Sequence, residues 1–118
     1  MKAIILALLI LFSISTSAQT CDEFIELIKS KNTGTTYTSY TSTSISKVTF
    51  YEVKSTNGNL YFAVVCFNRK YSMSCDEYIY QVASDTKLKY SSHYLVSAGK
   101  AYWKYIAPYK DNLNCGPS

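Results

Sequence analysis

The sequence predicts an α+β fold: a small antiparallel sheet of three to four strands on a central hairpin, covered by a short N-terminal helix and by C-terminal helices. Three observations predict it. Residues 44–67 form two β-rich runs joined through Asn57-Gly58, the commonest dipeptide of a tight hairpin turn. Residues 22–31 place Phe24, Ile25, Leu27 and Ile28 at helical spacing. From Ser84 onward the strand-like alternation stops and longer-period apolar spacing takes over.

The chain opens with Met1-Lys2, an apolar run from Ala3 to Phe12 and small residues up to Ala18. That is the layout of a secretory signal peptide, with cleavage expected after Ala18. The run is too short for a membrane span, which needs about 20 apolar residues, so no stable membrane insertion is expected after cleavage. Residues 1–18 are thus read as leader and 19–43 as an N-terminal helix plus a Thr/Ser/Tyr-rich segment. Residues 44–118 are read as the α+β domain proper, with 19–118 folding as one unit.

Outside the leader, eleven Lys/Arg face eight Asp/Glu, Lys2 being the twelfth base. The lysines are scattered singly, whereas nucleic-acid binding usually needs a clustered basic face. All four cysteines follow the leader, and an even count in a short exported chain argues for disulfides. Three pairings are possible. Cys66 and Cys75 end one strand and begin the next, which favours Cys66–Cys75 and leaves Cys21–Cys115 to tie the ends of the domain together. A zinc site would need tight CxxC or CxxH spacing. None is present, so neither metal nor cofactor is expected.

In order, Asp22 and Glu23 suit the first turn of the N-terminal helix, Lys29 and Lys31 its end, and Asn32 and Gly34 its stop. Thr35 to Ser42 reads as either an added edge strand or a loop. In the second hairpin strand, Leu60, Phe62, Val64 and Cys66 share one face while Tyr61, Ala63, Val65 and Phe67 share the other. Both are apolar, which predicts a central strand covered on both sides. Glu77 to Ala83 reads as the next strand, with Tyr78, Tyr80 and Val82 on one face. Ser84 or Asp85 would cap the following helix. Leu88, His93, Leu95 and Val96 mark it, Gly99 interrupts it, and Tyr102, Trp103 and Ile106 form a further helical face up to Pro108.

The stretches Ser44-Ile45-Ser46-Lys47-Val48, Leu60 to Phe67, Tyr78-Ile79-Tyr80-Gln81-Val82 and Gly99-Lys100-Ala101-Tyr102-Trp103-Lys104-Tyr105-Ile106 together resemble the KTSC domain, a small module named for the C-terminus of some lysyl-tRNA synthetases. The resemblance spans about two thirds of residues 19–118. Ala83-Ser84 stand where that family has a proline, and the leader and Cys75 segment are additions. The whole resembles an exported, disulfide-bearing bacterial variant. The resemblance implies no established enzymatic role, and nucleic-acid contact at most.

Candidate sites follow from residue chemistry. Twelve tyrosines stand with Trp103 beside Tyr102 and Tyr105. Rings from Tyr37, Tyr40, Tyr51, Tyr61, Tyr71, Tyr78 and Tyr80 could stripe one sheet face and stack on sugars or unstacked bases. The expected binding residues are Tyr78, Tyr80, Lys100, Tyr102 and Trp103, with a glycan or single-stranded nucleic acid as partner. The competing use of these rings is ordinary packing. His93, the sole histidine, is the one candidate base for the alternative reading, a secreted hydrolase or effector with RNA as a candidate substrate and Glu52, Arg69 and Lys100 as available helpers. Neither carboxylate pair suits glycoside hydrolysis: Asp76/Glu77 are adjacent on a strand and point apart, and Asp22/Glu23 are explained by the helix terminus.

Overall fold

A computed structural model describes residues 17–70 and 74–117, with side chains from Cys21 onward. All but the last two residues of the expected leader, and Tyr71, lie outside the described residues. The elements run α1 (Ser17–Lys31), β1 (Thr35–Thr38), β2 (Ile45–Ser55), β3 (Gly58–Asn68), β4 (Cys75–Val82), α2 (Thr86–His93), α3 (Ala98–Tyr105) and a 3-10 turn at Ala107–Tyr109. The sheet is a four-stranded antiparallel meander in the order β1-β2-β3-β4. The predicted α+β class and the added edge strand are both present.

The hairpin turn falls one residue earlier than expected. Ser55 pairs with Gly58, so Thr56 and Asn57 form the turn. Gly58 follows it with φ 119°, a backbone angle that a side chain would strain. The dipeptide was informative through its glycine, not through a two-residue Asn-Gly turn.

Period-2 alternation divides the sheet into two apolar faces. On one face Tyr51, Phe62, Val64 and Ile79 pack with Ile25 and Ile28 of α1. On the other, Val48, Phe50, Ala63, Val65, Tyr80 and Val82 pack with Tyr90 of α2 and Ala98, Ala101, Tyr102 and Ile106 of α3. β3 is covered on both faces, as its two apolar stripes required. α1 extends back to Ser17, so Asp22 and Glu23 sit inside the helix rather than in its first turn. Their charges therefore do not complement the helix terminus.

Both expected disulfides are formed. Cys66–Cys75 joins β3 to β4 with 5.4 Å between Cα atoms, and Cys21–Cys115 joins α1 to the C-terminal tail with 5.7 Å. Cys66 and Cys75 share strand parity with Val64 and Ile79, so both bridges lie on the α1 side of the sheet.

The helix pair departs from its reading in two ways. Thr86 and Tyr90, one turn apart, are the buried residues of α2, whereas Leu88, Leu95 and Val96 project outward. The interruption lies at Tyr94–Ser97, not at Gly99. Gly99 is the second residue of α3, and Ser97 caps the helix by accepting a hydrogen bond from the Lys100 N–H at 3.2 Å. Asp85 occupies the N-cap of α2, but its side chain caps nothing and instead meets Lys89 at 3.0 Å.

Candidate basic apolar surface

α3 sorts its residues by angle. Ala98, Ala101, Tyr102 and Ile106 recur at helical spacing and turn inward. That leaves Lys100, Trp103 and Lys104, related by i, i+3 and i+4, on the outer side. The turn before the helix adds Leu95 and Val96. Val96 is 91% exposed, Leu95 78%, Trp103 71%, and Leu88 on α2 71%. Four of the seven exposed large hydrophobic residues thus fall within one short stretch of the described chain. Monomeric proteins rarely leave such clusters open without use.

A shallow groove of about 230 Å³ runs between the C-terminus of α2 and α3, lined by His93, Val96, Ser97, Lys100, Lys104 and Tyr105 among others. Lys104 Nζ stands 5.5 Å from the centre of the Tyr105 ring. Neither Lys100 nor Lys104 has a carboxylate within ion-pair range among the described residues. Residues 84–110 contain five lysines against the single carboxylate Asp85. The opposite side of the molecule has the reverse sign. A cleft of about 790 Å³ between α1, β4 and the tail is lined by Asp22, Glu26, Asp76 and Glu77, with Arg69 held to Asp76 at 2.6 Å.

The five residues expected to form a binding surface are split by the fold. Tyr80 and Tyr102 are buried, their hydroxyls 2.7 Å apart, and neither offers a ring face to a ligand. Tyr78 packs edge-on against Phe67 and lines the acidic cleft. Only Lys100 and Trp103 stand together in the open. The striped tyrosine face does not exist as a surface. Tyr37, Tyr61 and Tyr78 pack against the helix-side core, and Tyr51 is buried under α1. Among the described members of that set Tyr40 alone is fully out, at 92%. Packing has claimed the rings because the helices cover the face on which they lie.

The set drafted around His93 does not assemble either. Its Nδ1 lies 2.9 Å from the Lys89 carbonyl, which can only accept, so Nδ1 donates in this contact. The imidazole rests against Tyr105 with 5.3 Å between ring centres. Lys100 shares its groove, but Glu52 accepts from Asn59 near the hairpin tip and Arg69 is paired at the far end of β4. No group of three or more His, Cys, Asp or Glu suited to a metal ion occurs among the described residues.

No family model, no curated protein and no solved structure matches the chain. The site therefore rests on its own geometry. Sequence reasoning found Lys100 and Trp103 but missed Lys104, Leu95 and Val96. The available signal for Lys104 was the inward stripe Ala98-Ala101-Tyr102-Ile106, which by exclusion places it outside; Leu95 and Val96 precede the helix, and the break at Tyr94–Ser97 exposes them.

Proposed function

We propose that this small disulfide-stabilised domain is an exported, KTSC-like binding module, non-enzymatic, whose working surface is the outer face of α2 and α3. The observation that carries the reading is the joint exposure of Leu95, Val96 and Trp103 beside Lys100 and Lys104. Apolar side chains left open beside unpaired cations favour a partner that buries the former and neutralises the latter. The kinship is supported by placement: the quoted stretches coincide with β2, β3, β4 and α3, one element each. Export is supported by the leader-like N-terminus and by two disulfides, which persist in oxidising compartments. No described helix is long and apolar enough to cross a membrane.

Export is tested by the unreduced intact mass of protein recovered from the cell exterior. A mass of Gln19–Ser118 less four hydrogens is the expected result, and an uncleaved chain with free thiols would overturn it. The surface is tested by amide chemical-shift mapping against single-stranded oligonucleotide, oligosaccharide and phospholipid bicelles. Perturbation centred on residues 93–104 by one of them is expected. Perturbation confined to the acidic cleft would move the working surface elsewhere.

A further inference from the structure

We infer that the partner of this surface is an anionic lipid bilayer, met peripherally, which rests on the reading of α2 and α3 as the working face. Three observations separate a bilayer from the other anionic partners. First, the exposed apolar groups are mainly aliphatic. Leu88, Leu95 and Val96 cannot stack on a base or a sugar, but they partition into acyl chains. Trp103 is the one large ring exposed on the helix pair, and a lone indole beside lysines suits the headgroup level, where its amphipathic ring is at home.

Second, the most exposed aliphatic side chains lie beside the cations. Leu95 and Val96 sit in the turn between two helices, largely in solvent although both edge shallow grooves. Lys100 and Lys104 follow on the first two turns of α3, placed to reach phosphates as the turn enters the interface.

Third, the charge is polarised. Five lysines and one carboxylate, Asp85 paired with Lys89, lie in residues 84–110. On the far side Asp22 and Glu26 line the cleft, unpaired among the described residues, beside Asp76 and Glu77, which hold Arg69 and Lys29. An anionic surface would attract the lysine side and repel the carboxylate side, which orients the domain with the α2–α3 turn inward and both disulfides outward.

The experiment is flotation of the disulfide-intact, leader-processed protein with extruded vesicles of phosphatidylcholine alone or mixed equally with phosphatidylglycerol, read alongside Trp103 emission. Trp103 is the only tryptophan in the chain, so the signal is its own. Binding to the anionic vesicles with a blue-shifted emission, and weak binding to the neutral ones, is expected. The K100Q/K104Q variant should bind anionic vesicles about thirtyfold more weakly, from the usual attraction per lysine at such a surface. L95D/V96D should lose the blue shift with unchanged circular dichroism, since both side chains are already in water. Equal flotation with neutral and anionic vesicles, or none with either, overturns the inference. If a single-stranded oligonucleotide shifts Trp103 while vesicles do not, the bilayer is the wrong partner but the surface stands. If vesicles bind and both variants bind like the parent, another surface is used and both readings fall.

Discussion

The hydroxyl groups of Tyr80 on β4 and Tyr102 on α3 meet at 2.7 Å inside the layer between sheet and helices. The rings are set edge-to-face, 5.8 Å between centres, and each hydroxyl finds in the other the partner that burial would otherwise deny it. This one bond joins the two residues that a surface reading would have left in water. Burial and the Tyr102 hydroxyl together push the Tyr80 phenol well above its ordinary range.

Removing one hydroxyl should hurt more than removing both. Tyr102→Phe leaves the Tyr80 hydroxyl buried without its partner and should cost about 1–3 kcal/mol in urea unfolding. The double variant Y80F/Y102F should recover most of that loss. A double variant less stable than the single one would show that the hydroxyl pair itself, not its satisfaction, is what matters.

Alkaline pH should unfold the chain through its buried phenols. Burial pushes Tyr90 up to about 12, with the Ser39 hydroxyl beside it pulling the other way. In the unfolded chain a tyrosine titrates near 10. Between about pH 10 and 12 the unfolded state therefore holds fewer protons than the folded one, and stability falls as pH rises. Absorbance at a phenolate wavelength should show Tyr80 and Tyr90 ionising only together with loss of far-ultraviolet dichroism. A single reversible phase for all twelve tyrosines would contradict the buried assignment.

Two glycines should respond in opposite senses to alanine. A Cβ on Gly34 would lie 2.5 Å from the Thr49 methyl and 2.7 Å from the Tyr51 ring, so Gly34→Ala should destabilise by about 1–3 kcal/mol. Gly99 is helical and its nearest obstacle is Ser44 Oγ at 3.5 Å. Gly99→Ala should stabilise by about 0.5–1 kcal/mol, the ordinary gain within a helix. Thermal melts of the two variants decide both signs.

The two disulfides should differ in weight. Cys21–Cys115 closes a sequence separation of 94 residues and Cys66–Cys75 one of 9. Loop-closure entropy assigns them about 4–5 and 2–3 kcal/mol respectively. The C21A/C115A variant should also release the tail, seen as faster amide exchange across residues 110–117. Protection of the tail without the bridge would mean that Leu113, packed against the α1-side core, suffices to hold it.

His93→Ala is the sharp test between binding and catalysis. Its imidazole meets a carbonyl and a ring rather than an acid or a nucleophile, so the variant should keep its stability within about 0.5 kcal/mol. Loss of a hydrolytic activity in that variant, with fold and lipid binding intact, would establish the enzyme.

Much of this architecture was written in local pattern. The two apolar stripes of β3 required a covered central strand, and the positions of Cys66 and Cys75 at facing strand ends made their bridge a short step. Period-2 alternation fixes which face a side chain takes, and that rule needs no knowledge of the rest of the chain. What alternation cannot tell is which face will be covered. Tyr78 and Tyr80 were correctly placed on one stripe of β4, yet only the docking of α2 and α3 decides that this stripe is interior.

The surface was therefore legible in part. Lys100 and Trp103 could be named from composition, but Tyr102 beside them turns inward because one residue along a helix is a rotation of about 100°. Leu95 and Val96 read as part of the helix after Ser84; the break at Tyr94–Ser97 throws them out of both helical registers and into solvent. By itself, then, the sequence determined element order and strand parity, consequences of spacing along one chain, and favoured one of three cysteine pairings that only the structure decided. Which rings are buried, which lysines stand together and where the charge gathers are consequences of packing between elements, and only the tertiary structure decided them.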